Sequence, residues 1–240
     1  MMSNNLEKVI ILSTIGSEIL PLLLSAMEAQ GIAVGAIVLD GIISEKNREI
    51  VLKRTCNFFD WPDFFDIERF NLPTYLVKNH NGENCLHLLR SLNSDLIING
   101  GTPRILKSPI LSLPKRGILN CHPGILPKYR GCTCAEWAIY NDDEVGATCH
   151  FMTDGIDAGP IVYSEAMAIH RGDSYEKMRT NLIFHMIKVL VEGTSKVLRQ
   201  HLSIDKLPEQ TGDDYFRVIS EEKLQIVKQK LIQQTYKYLG

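Results

Sequence analysis

Short apolar runs alternate with segments of helical periodicity along the first 170 residues of the chain. The runs have the length of buried strands, and the segments between them repeat apolar residues at the spacing of one helix face. An alternation of this kind predicts a largely parallel sheet with helices on both faces, in a doubly wound, Rossmann-like α/β fold. The predicted strands cover residues 9–13, 32–39, 74–77, 95–99 and 117–121, and the predicted helices cover residues 19–29, 44–56, 82–92 and 106–113.

Residues 57–72 interrupt this alternation with aromatic side chains mixed with Asp and Pro. We expect them to form a loop and a short helix that pack on the sheet. The aromatic residues are Phe58, Phe59, Trp61, Phe64, Phe65 and Phe70.

Beyond residue 145 the pattern indicates a pair of strands and then a long helix. Asp173 and Glu176 predict a capping box at the start of that helix, which we expect to end near residue 200. The polar stretch around Pro208 and Gly212 is typical of a linker. We therefore predict a main domain over residues 1–202 and a short C-terminal appendage, a strand plus a helix, over residues 203–240. The predicted elements here are strands over 147–152, 161–169 and 216–219, and a last helix capped by Ser220.

The composition of the chain argues against several kinds of binding partner. The chain has 240 residues and a formal net charge of -2, with no basic cluster of the kind that binds nucleic acid. No apolar run approaches the roughly 20 residues of a membrane span, and no signal-peptide pattern follows the N-terminus. The six cysteines form no C-x-x-C pair, which favours free thiols over a metal site. We expect a cytoplasmic protein without nucleic-acid, membrane or metal partners.

The candidate chemistry lies at the end of the fifth predicted strand. Asn120 and His122 are two residues apart, so both side chains can lie on one side of the strand, at the sheet edge where doubly wound folds bind ligands. An Asn amide donates without titrating, a His titrates near neutral pH, and an Asp on a Gly-rich loop can orient that His or accept a proton. These groups suit acyl transfer, in which one oxyanion donor is worth about 2.7–4 kcal/mol. Taken alone, such a pair is more often a strand-end hydrogen-bond anchor than a catalytic pair.

Four strings in fixed order carry a resemblance that goes further. They are LNCHPG over 119–124, LPKYRG over 126–131, GATCHFM over 146–152 and IDAGPI over 156–161. Together they closely resemble the folate-dependent formyltransferase family, which includes glycinamide ribonucleotide, methionyl-tRNA and sugar N-formyltransferases. The resemblance implies an enzyme with N10-formyltetrahydrofolate as formyl donor and with Asn120, His122 and Asp157 as catalytic residues. Asn120 and His122 would stabilise the oxyanion, and Asp157 would assist proton transfer.

The resemblance also implies where the folate binds. Arg104, Ile105 and Leu106 match one wall of the family's folate cleft, and the loop containing Asp154 and Gly155 matches the backbone that contacts the pterin. A pterin requires such polar backbone groups in an otherwise apolar slot.

The resemblance leaves three classes of acceptor amine to be compared. A transfer-RNA enzyme would be expected to carry an added nucleic-acid-binding domain, which the stretch after residue 200 is too short to form. The purine-pathway enzyme usually has a Gly-Asn-Gly-Ser type turn after its first strand, where this chain has residues 13–17 as STIGS. The KYRG string, the helix around Trp137 and the YFR string over 215–217 look more like the sugar N-formyltransferases.

By that likeness the substrate is a nucleotide-linked amino dideoxysugar, of the kind used for lipopolysaccharide O-antigen. Tyr129 would contact the sugar or base and Arg130 the diphosphate, although both residues also fit a role as loop anchors. The remaining alternatives are a glycinamide ribonucleotide formyltransferase and a formyltetrahydrofolate hydrolase. The likeness further implies a homodimer, in which the last 40 residues serve either as interface or as cover for the protein's own sheet edge.

Overall fold

The sheet and its helices follow the predicted alternation. The structure, a computed structural model, describes residues 8–59, 67–212 and 214–240; Trp61, Phe64 and Phe65 of the aromatic segment lie outside the described residues. Seven strands form one sheet in the order β3-β2-β1-β4-β5-β6-β7. The strands are β1 (Val9–Ile15), β2 (Val34–Ile42), β3 (Thr74–Val77), β4 (Leu96–Asn99), β5 (Ile118–His122), β6 (Gly146–Phe151) and β7 (Ile161–Ala166).

The first five strands pair in parallel, and β6 and β7 join them antiparallel. The prediction of a doubly wound, mostly parallel α/β fold is therefore confirmed. The helices are α1 (Ile19–Ala29), α2 (Glu45–Arg54), α3 (Glu83–Leu92), α4 (Cys134–Tyr140), α5 (Tyr175–Arg199) and α6 (Glu221–Ile232). Among the described residues, none of these helices is long and apolar enough to cross a bilayer.

Side chains that alternate along β1 divide the core between the two faces of the sheet. Val9 and Ile11 belong to a cluster that includes residues of α1 and α5. Ile10 and Leu12 point the other way and pack with residues of α3. This period of two is what an extended strand imposes, and each such buried side chain contributes about 1.5–3 kcal/mol.

Three predicted elements differ from the structure. The helix expected over 106–113 is reduced to one 3₁₀ turn at Ile110–Ser112. The cap of α5 is Ser174, whose hydroxyl accepts from the Lys177 N–H, because the carboxylate of Asp173 is taken up by the N–H of His170. The strand expected over 216–219 is a single bridge between Phe216 and Gly131.

The segment after residue 202 packs into a core that it shares with α4. Val227 and Leu231 of α6, together with Ile219 and Tyr236, are buried in one cluster with Tyr129 and the inner side of α4. The indole N–H of Trp137 also donates to the carbonyl of Arg217 over 2.7 Å. The C-terminal segment therefore contacts both α4 and Tyr129, which precedes α4 in the chain, and it lies close to the end of β5.

Candidate active site

Neighbouring strand ends orient the amide of Asn120. The amide N–H of Asn99, the last residue of β4, donates to Asn120 Oδ1 over 2.9 Å. The Oδ1 of Asn99 in turn accepts from the backbone N–H of Gly101 and of Thr102. Since backbone N–H groups only donate, the amide of Asn99 can take one orientation, and it fixes the amide of Asn120. The NH₂ group of Asn120 then lies 3.2 Å from Nε2 of His150.

His150 is a neutral acceptor behind this amide. Its Nδ1 lies 2.9 Å from the carbonyl oxygen of Phe151, so Nδ1 carries the proton and Nε2 accepts from Asn120. Burial lowers the pKa of His150 to about 4, and the hydrogen bond to Phe151 and the charge of Asp157 offset only part of that effect. One N–H of Asn120 is thus used, and the other is left for a ligand.

His122 is buried beside the candidate cleft and bonded at both ring nitrogens. Its Nε2 lies 2.7 Å from the carbonyl oxygen of Tyr129, and its Nδ1 lies 3.2 Å from Oδ2 of Asp157. Both partners are acceptors, so the doubly protonated ring satisfies both contacts. The expectation that His122 donates directly to an oxyanion does not fit this arrangement, because neither N–H is free. When both ring nitrogens carry protons, His122 faces the carboxylate of Asp157 with a positive charge.

Asp157 occupies a strained backbone conformation, with φ of 51° in the left-handed region. Its Oδ2 accepts from the N–H of Gly131 over 3.0 Å and faces His122, while its Oδ1 lies 3.8 Å from Nε2 of His150. Burial raises the pKa of this carboxyl, but the hydrogen bond and charge of His122, with the Gly131 N–H and the charge of His150, outweigh it and hold the pKa below its ordinary value. Asp157 is therefore ionised at neutral pH.

These groups meet at an open cleft of about 400 Å³. Asn120 and Asp157 lie on one side of it, and His122 does not line it. The predicted folate-contact residues all line the same cleft, which brings together chain segments from the ends of β4, β5 and β6. The lining residues are Asn99, Thr102, Pro103, Arg104, Ile105, Leu106, Asn120, His150, Met152, Thr153, Asp154, Gly155, Ile156 and Asp157.

The cleft wall formed by Arg104 is anchored by a buried carboxylate that sequence reasoning missed. Asp40, at the end of the apolar run of β2, is fully buried and accepts from Nε and Nη2 of Arg104 over 2.6 and 2.8 Å. It also accepts from the N–H of His80. Burial raises the pKa of Asp40, but its bonds to Arg104 and His80 outweigh this and lower the pKa. The signal in the sequence was a single acid directly after buried strand residues.

Comparison with known proteins identifies the family. Residues 7–194 match the family model described as formyl transferase, which spans the sheet, the cleft and most of α5. The chain belongs to the formyl transferase family.

The curated relatives of this formyl transferase family member extend beyond the aligned region. The methionyl-tRNA formyltransferase of Thermotoga maritima is 29% identical over 158 residues, which cover 65% of this chain and 50% of that protein. The bifunctional polymyxin resistance protein ArnA of Wigglesworthia glossinidia brevipalpis is 29% identical over 136 residues, 56% of this chain and 21% of that protein. The chain spans about half the length of the methionyl-tRNA formyltransferases that it matches.

Two solved structures illustrate how far the fold is shared. Glycinamide ribonucleotide transformylase 1 from Symbiobacterium toebii has a TM-score of 0.63 at 20% identity, over 87% of this chain and 95% of that one. The formyltransferase PseJ from Anoxybacillus kamchatkensis, in complex with UDP-4,6-dideoxy-4-formamido-L-AltNAc and tetrahydrofolate, has a TM-score of 0.54 at 17% identity, over 97% of this chain and 95% of that one. At such identities these likenesses concern the fold.

The two residues predicted to bind substrate are internal anchors in this family member. The ring of Tyr129 is buried against Phe216, and its hydroxyl donates to Asp143 over 2.5 Å. The guanidinium of Arg130 is directed at Gln210 and the carbonyl of Gly212. Neither side chain lines the cleft. Direct contact of these two side chains with a substrate stays a prediction, and in this structure hydrogen bonds and burial already occupy both groups.

Metal ligands do not gather at this site. Within residues 8–59, 67–212 and 214–240, no three His, Cys, Asp or Glu side chains converge as a metal site would require. All six cysteines, three of which lie on β5, β6 and α4, are free thiols.

Proposed function

We propose that this protein transfers the formyl group of N10-formyltetrahydrofolate to the primary amine of a nucleotide-linked amino dideoxysugar. The observation that carries the proposal is the meeting of a free amide N–H of Asn120 and an ionised Asp157 in one open cleft. The family supports formyl transfer, and the cleft supports the residues that perform it.

The proposed reaction proceeds through one tetrahedral intermediate. The lone pair of the amine attacks the formyl carbon, and the carbonyl electrons move onto its oxygen, where the free N–H of Asn120 stabilises the charge. The amine nitrogen then loses a proton to Asp157, directly or through a water molecule. The oxyanion re-forms the carbonyl, the bond to N10 breaks, and N10 takes up the proton that Asp157 accepted, directly or through a water molecule, which restores the carboxylate. The products are the formamide and tetrahydrofolate.

His122 acts in this scheme by holding Asp157. Its positive ring 3.2 Å from Oδ2 keeps the carboxylate ionised and directed, while the bond to the carbonyl of Tyr129 keeps the ring in place. The free carboxylate oxygen, Oδ1, then faces the cleft side shared with His150.

The cleft has the composition that a folate requires. Ile105 and Ile156 are exposed apolar side chains on its walls, and Met152 also lines it. Backbone groups around Asp154 and Gly155 supply the polar contacts that a pterin needs in an apolar slot. We propose that Arg104, Ile105, Leu106, Asp154 and Gly155 contact the formyl donor.

Two observations favour the amino-sugar acceptor. The fold shared with PseJ, whose bound ligand is a UDP-linked formamido sugar, covers 97% of this chain and so includes the C-terminal segment. The glycinamide ribonucleotide enzyme structure covers 87%. The STIGS string over residues 13–17, which covers the end of β1 and the start of the turn after it, also departs from the one usual in the purine enzymes. We further propose a cytoplasmic homodimer, which light scattering in solution would test.

The decisive experiment is a turnover panel. Purified protein and formyltetrahydrofolate are incubated with nucleotide-linked 3-amino and 4-amino dideoxysugars, glycinamide ribonucleotide and methionyl-tRNA, and mass spectrometry measures the formyl gain of each acceptor. We expect the gain on an amino sugar, and a far smaller gain over the same incubation in Asp157→Asn. Gain on glycinamide ribonucleotide or methionyl-tRNA alone would reject the amino-sugar acceptor. Formate release without any acceptor would indicate the hydrolase instead.

A further inference from the structure

The side chain of Gln210 spans from the C-terminal segment to the loop that carries Asp157. It is half-buried although its neighbours Glu209 and Thr211 are exposed. Its Nε2 donates to the carbonyl of Asp157 over 3.1 Å and to the carbonyl of Gly159. Because carbonyls only accept, the NH₂ group must face the loop and the amide has one orientation.

Arg130 fixes the other end of the same amide. Its Nε and Nη2 lie 3.3 and 3.0 Å from Oε1 of Gln210, and its Nη1 donates to the carbonyl of Gly212. The two N–H bonds and the oxygen of the Gln210 amide are all engaged, so it has no unused hydrogen-bonding group of the kind that costs stability when buried. Arg130 is itself only 7% exposed, and its planar fork suits this geometry.

The backbone next to Arg130 closes the connection. The N–H of Phe216 donates to the carbonyl of Arg130, and the N–H of Cys132 donates to the carbonyl of Phe216, both over 2.8 Å. Between them, the N–H of Gly131 donates to Oδ2 of Asp157. A Cβ on Gly131 would lie 2.3 Å from the carbonyl oxygen of Phe216, so only glycine permits this approach.

We propose that Gln210, aligned by Arg130, is a positioning residue that holds the 157–159 backbone so that the carboxylate of Asp157 faces His122. The strained φ of Asp157 requires such support from its surroundings, and Gln210 bonds the carbonyl of that same residue. Gln210 lies outside residues 7–194, the part that matches the family model. The inference rests on the proposed function, since it assigns Gln210 a role in the formyl-transfer reaction in which Asp157 accepts a proton.

Two substitutions separate this role from simple anchoring of the C-terminal segment. Gln210→Glu keeps an acceptor for Arg130 but replaces both N–H donors with an oxygen that repels the carbonyls of Asp157 and Gly159. Gln210→Met removes both connections at similar volume. We expect kcat to fall about 10- to 100-fold in both variants, as for a misplaced catalytic group, and to stay unchanged in the exposed control Glu209→Ala. Wild-type kcat in Gln210→Glu would show that Gln210 only anchors the segment, and would overturn the proposal.

A double-mutant cycle asks whether Gln210 acts through Asp157. In the Asp157→Asn background, adding Gln210→Glu should cost less than twofold in single-turnover rate, because the group being positioned is already lost. Losses that multiply would contradict the proposal.

Amide hydrogen exchange tests the same idea without any substrate. We expect peptides covering 151–160 to exchange faster in Gln210→Glu than in wild type or Glu209→Ala, with exchange in α3 unchanged. Equal exchange in all three proteins would reject the positioning role. Suppose that Gln210→Glu exchanges faster but the wild-type protein transfers no formyl group in the turnover panel. This pair of results would support the contact and reject the proposed function, so the two failures are distinguishable.

Discussion

The amide of Asn120 shows how a strand end can prepare a donor without changing its charge. Asn99 holds its oxygen and neutral His150 takes one of its N–H bonds, which leaves the second directed by two fixed partners. A donor held in this way pays little reorganisation when an oxyanion forms. Three neighbouring strands, β4, β5 and β6, supply the residues of this arrangement, and the donor does not have to gain or lose a proton.

Removing this donor should lower turnover sharply and leave the fold intact. In Asn120→Ala we expect kcat to fall about 10²- to 10³-fold, the usual cost of one oxyanion donor. Steady-state kinetics with the acceptor identified by the panel measures it. Asn47→Ala, on the exposed face of α2, is the matched control and should retain full activity. An Asn120→Ala enzyme with near wild-type kcat would disprove the oxyanion role.

Replacing His122 should change the pH dependence in a defined direction. In wild type the pKa of Asp157 is lowered, so the carboxylate remains ionised and turnover is lost only as pH falls below the ordinary Asp value of about 3.9. In His122→Gln, burial still raises the pKa of Asp157 but the opposing charge is gone. The acid limb of kcat should therefore move to higher pH.

A pH–rate profile of both enzymes measures this shift, with His87→Gln on the exposed side of α3 as control. An acid limb that stays in place in His122→Gln would show that His122 does not set the protonation of Asp157.

At the scale of elements, the 102–106 segment depends on the end of β2. Asp40 carries a charge in a fully buried position, and Arg104 neutralises it with two hydrogen bonds while its own side chain is 41% exposed. This pair fixes the segment that forms one wall of the cleft. Two elements distant in sequence are thereby held by one side-chain contact.

Removing Arg104 should expose the cost of that buried charge. We expect Arg104→Met to lower the free energy of unfolding, because it leaves the buried carboxylate of Asp40 without its charged partner. Urea denaturation measures it. Adding Asp40→Asn should restore part of the loss, and Arg90→Met on the exposed side of α3 should change stability by less than about 0.5 kcal/mol.

The sign of the pH effect follows from Asp40. Its pKa is lowered in the folded state, so the stability that the pair contributes is present above the pKa of an unfolded Asp and is lost as pH falls through the folded value. The difference between wild type and Arg104→Met should therefore shrink in acid. A difference that does not shrink as pH falls would assign the effect to packing of the side chain.

Elements that depend on local pattern were predictable, and those that depend on distant partners were not. β1 and α1 follow from apolar periodicity alone. The sequence predicted Asp173 as the cap of α5. The cap is Ser174, because the carboxylate of Asp173 accepts from the backbone N–H of His170 instead. The side chain of Gln210 crosses 53 residues of sequence to reach Asp157, and no spacing rule carries that information. Arg130 was predicted to bind a diphosphate because the sequence does not reveal its hydrogen bonds to Gln210 and Gly212, some 80 residues away.

At the scale of the molecule, the C-terminal segment is held by the core that it shares with α4. Leu231 is 2% exposed in that core, whereas the next residue, Ile232, is 77% exposed. These two neighbours on α6 therefore report separately on docking of the helix and on its surface.

Truncating the buried neighbour should cost far more than truncating the exposed one. We expect Leu231→Ala to lower the free energy of unfolding by about 2–5 kcal/mol, through lost burial and a residual cavity. Ile232→Ala should change it by less than about 0.5 kcal/mol. Chemical denaturation of both variants measures the contrast, and similar small effects would mean that α6 does not dock as described.

The bond from Gln210 to the Asp157 loop has a consequence for engineering. A chimera that joins residues 7–194 of this chain to the C-terminal portion of a relative would keep the full family match and still lose the partner of that loop. Acceptor-switching hybrids should therefore carry the stretch from 130 to 132 and the stretch from 210 to 216 from the same parent. In natural sequences, these two stretches are expected to change together.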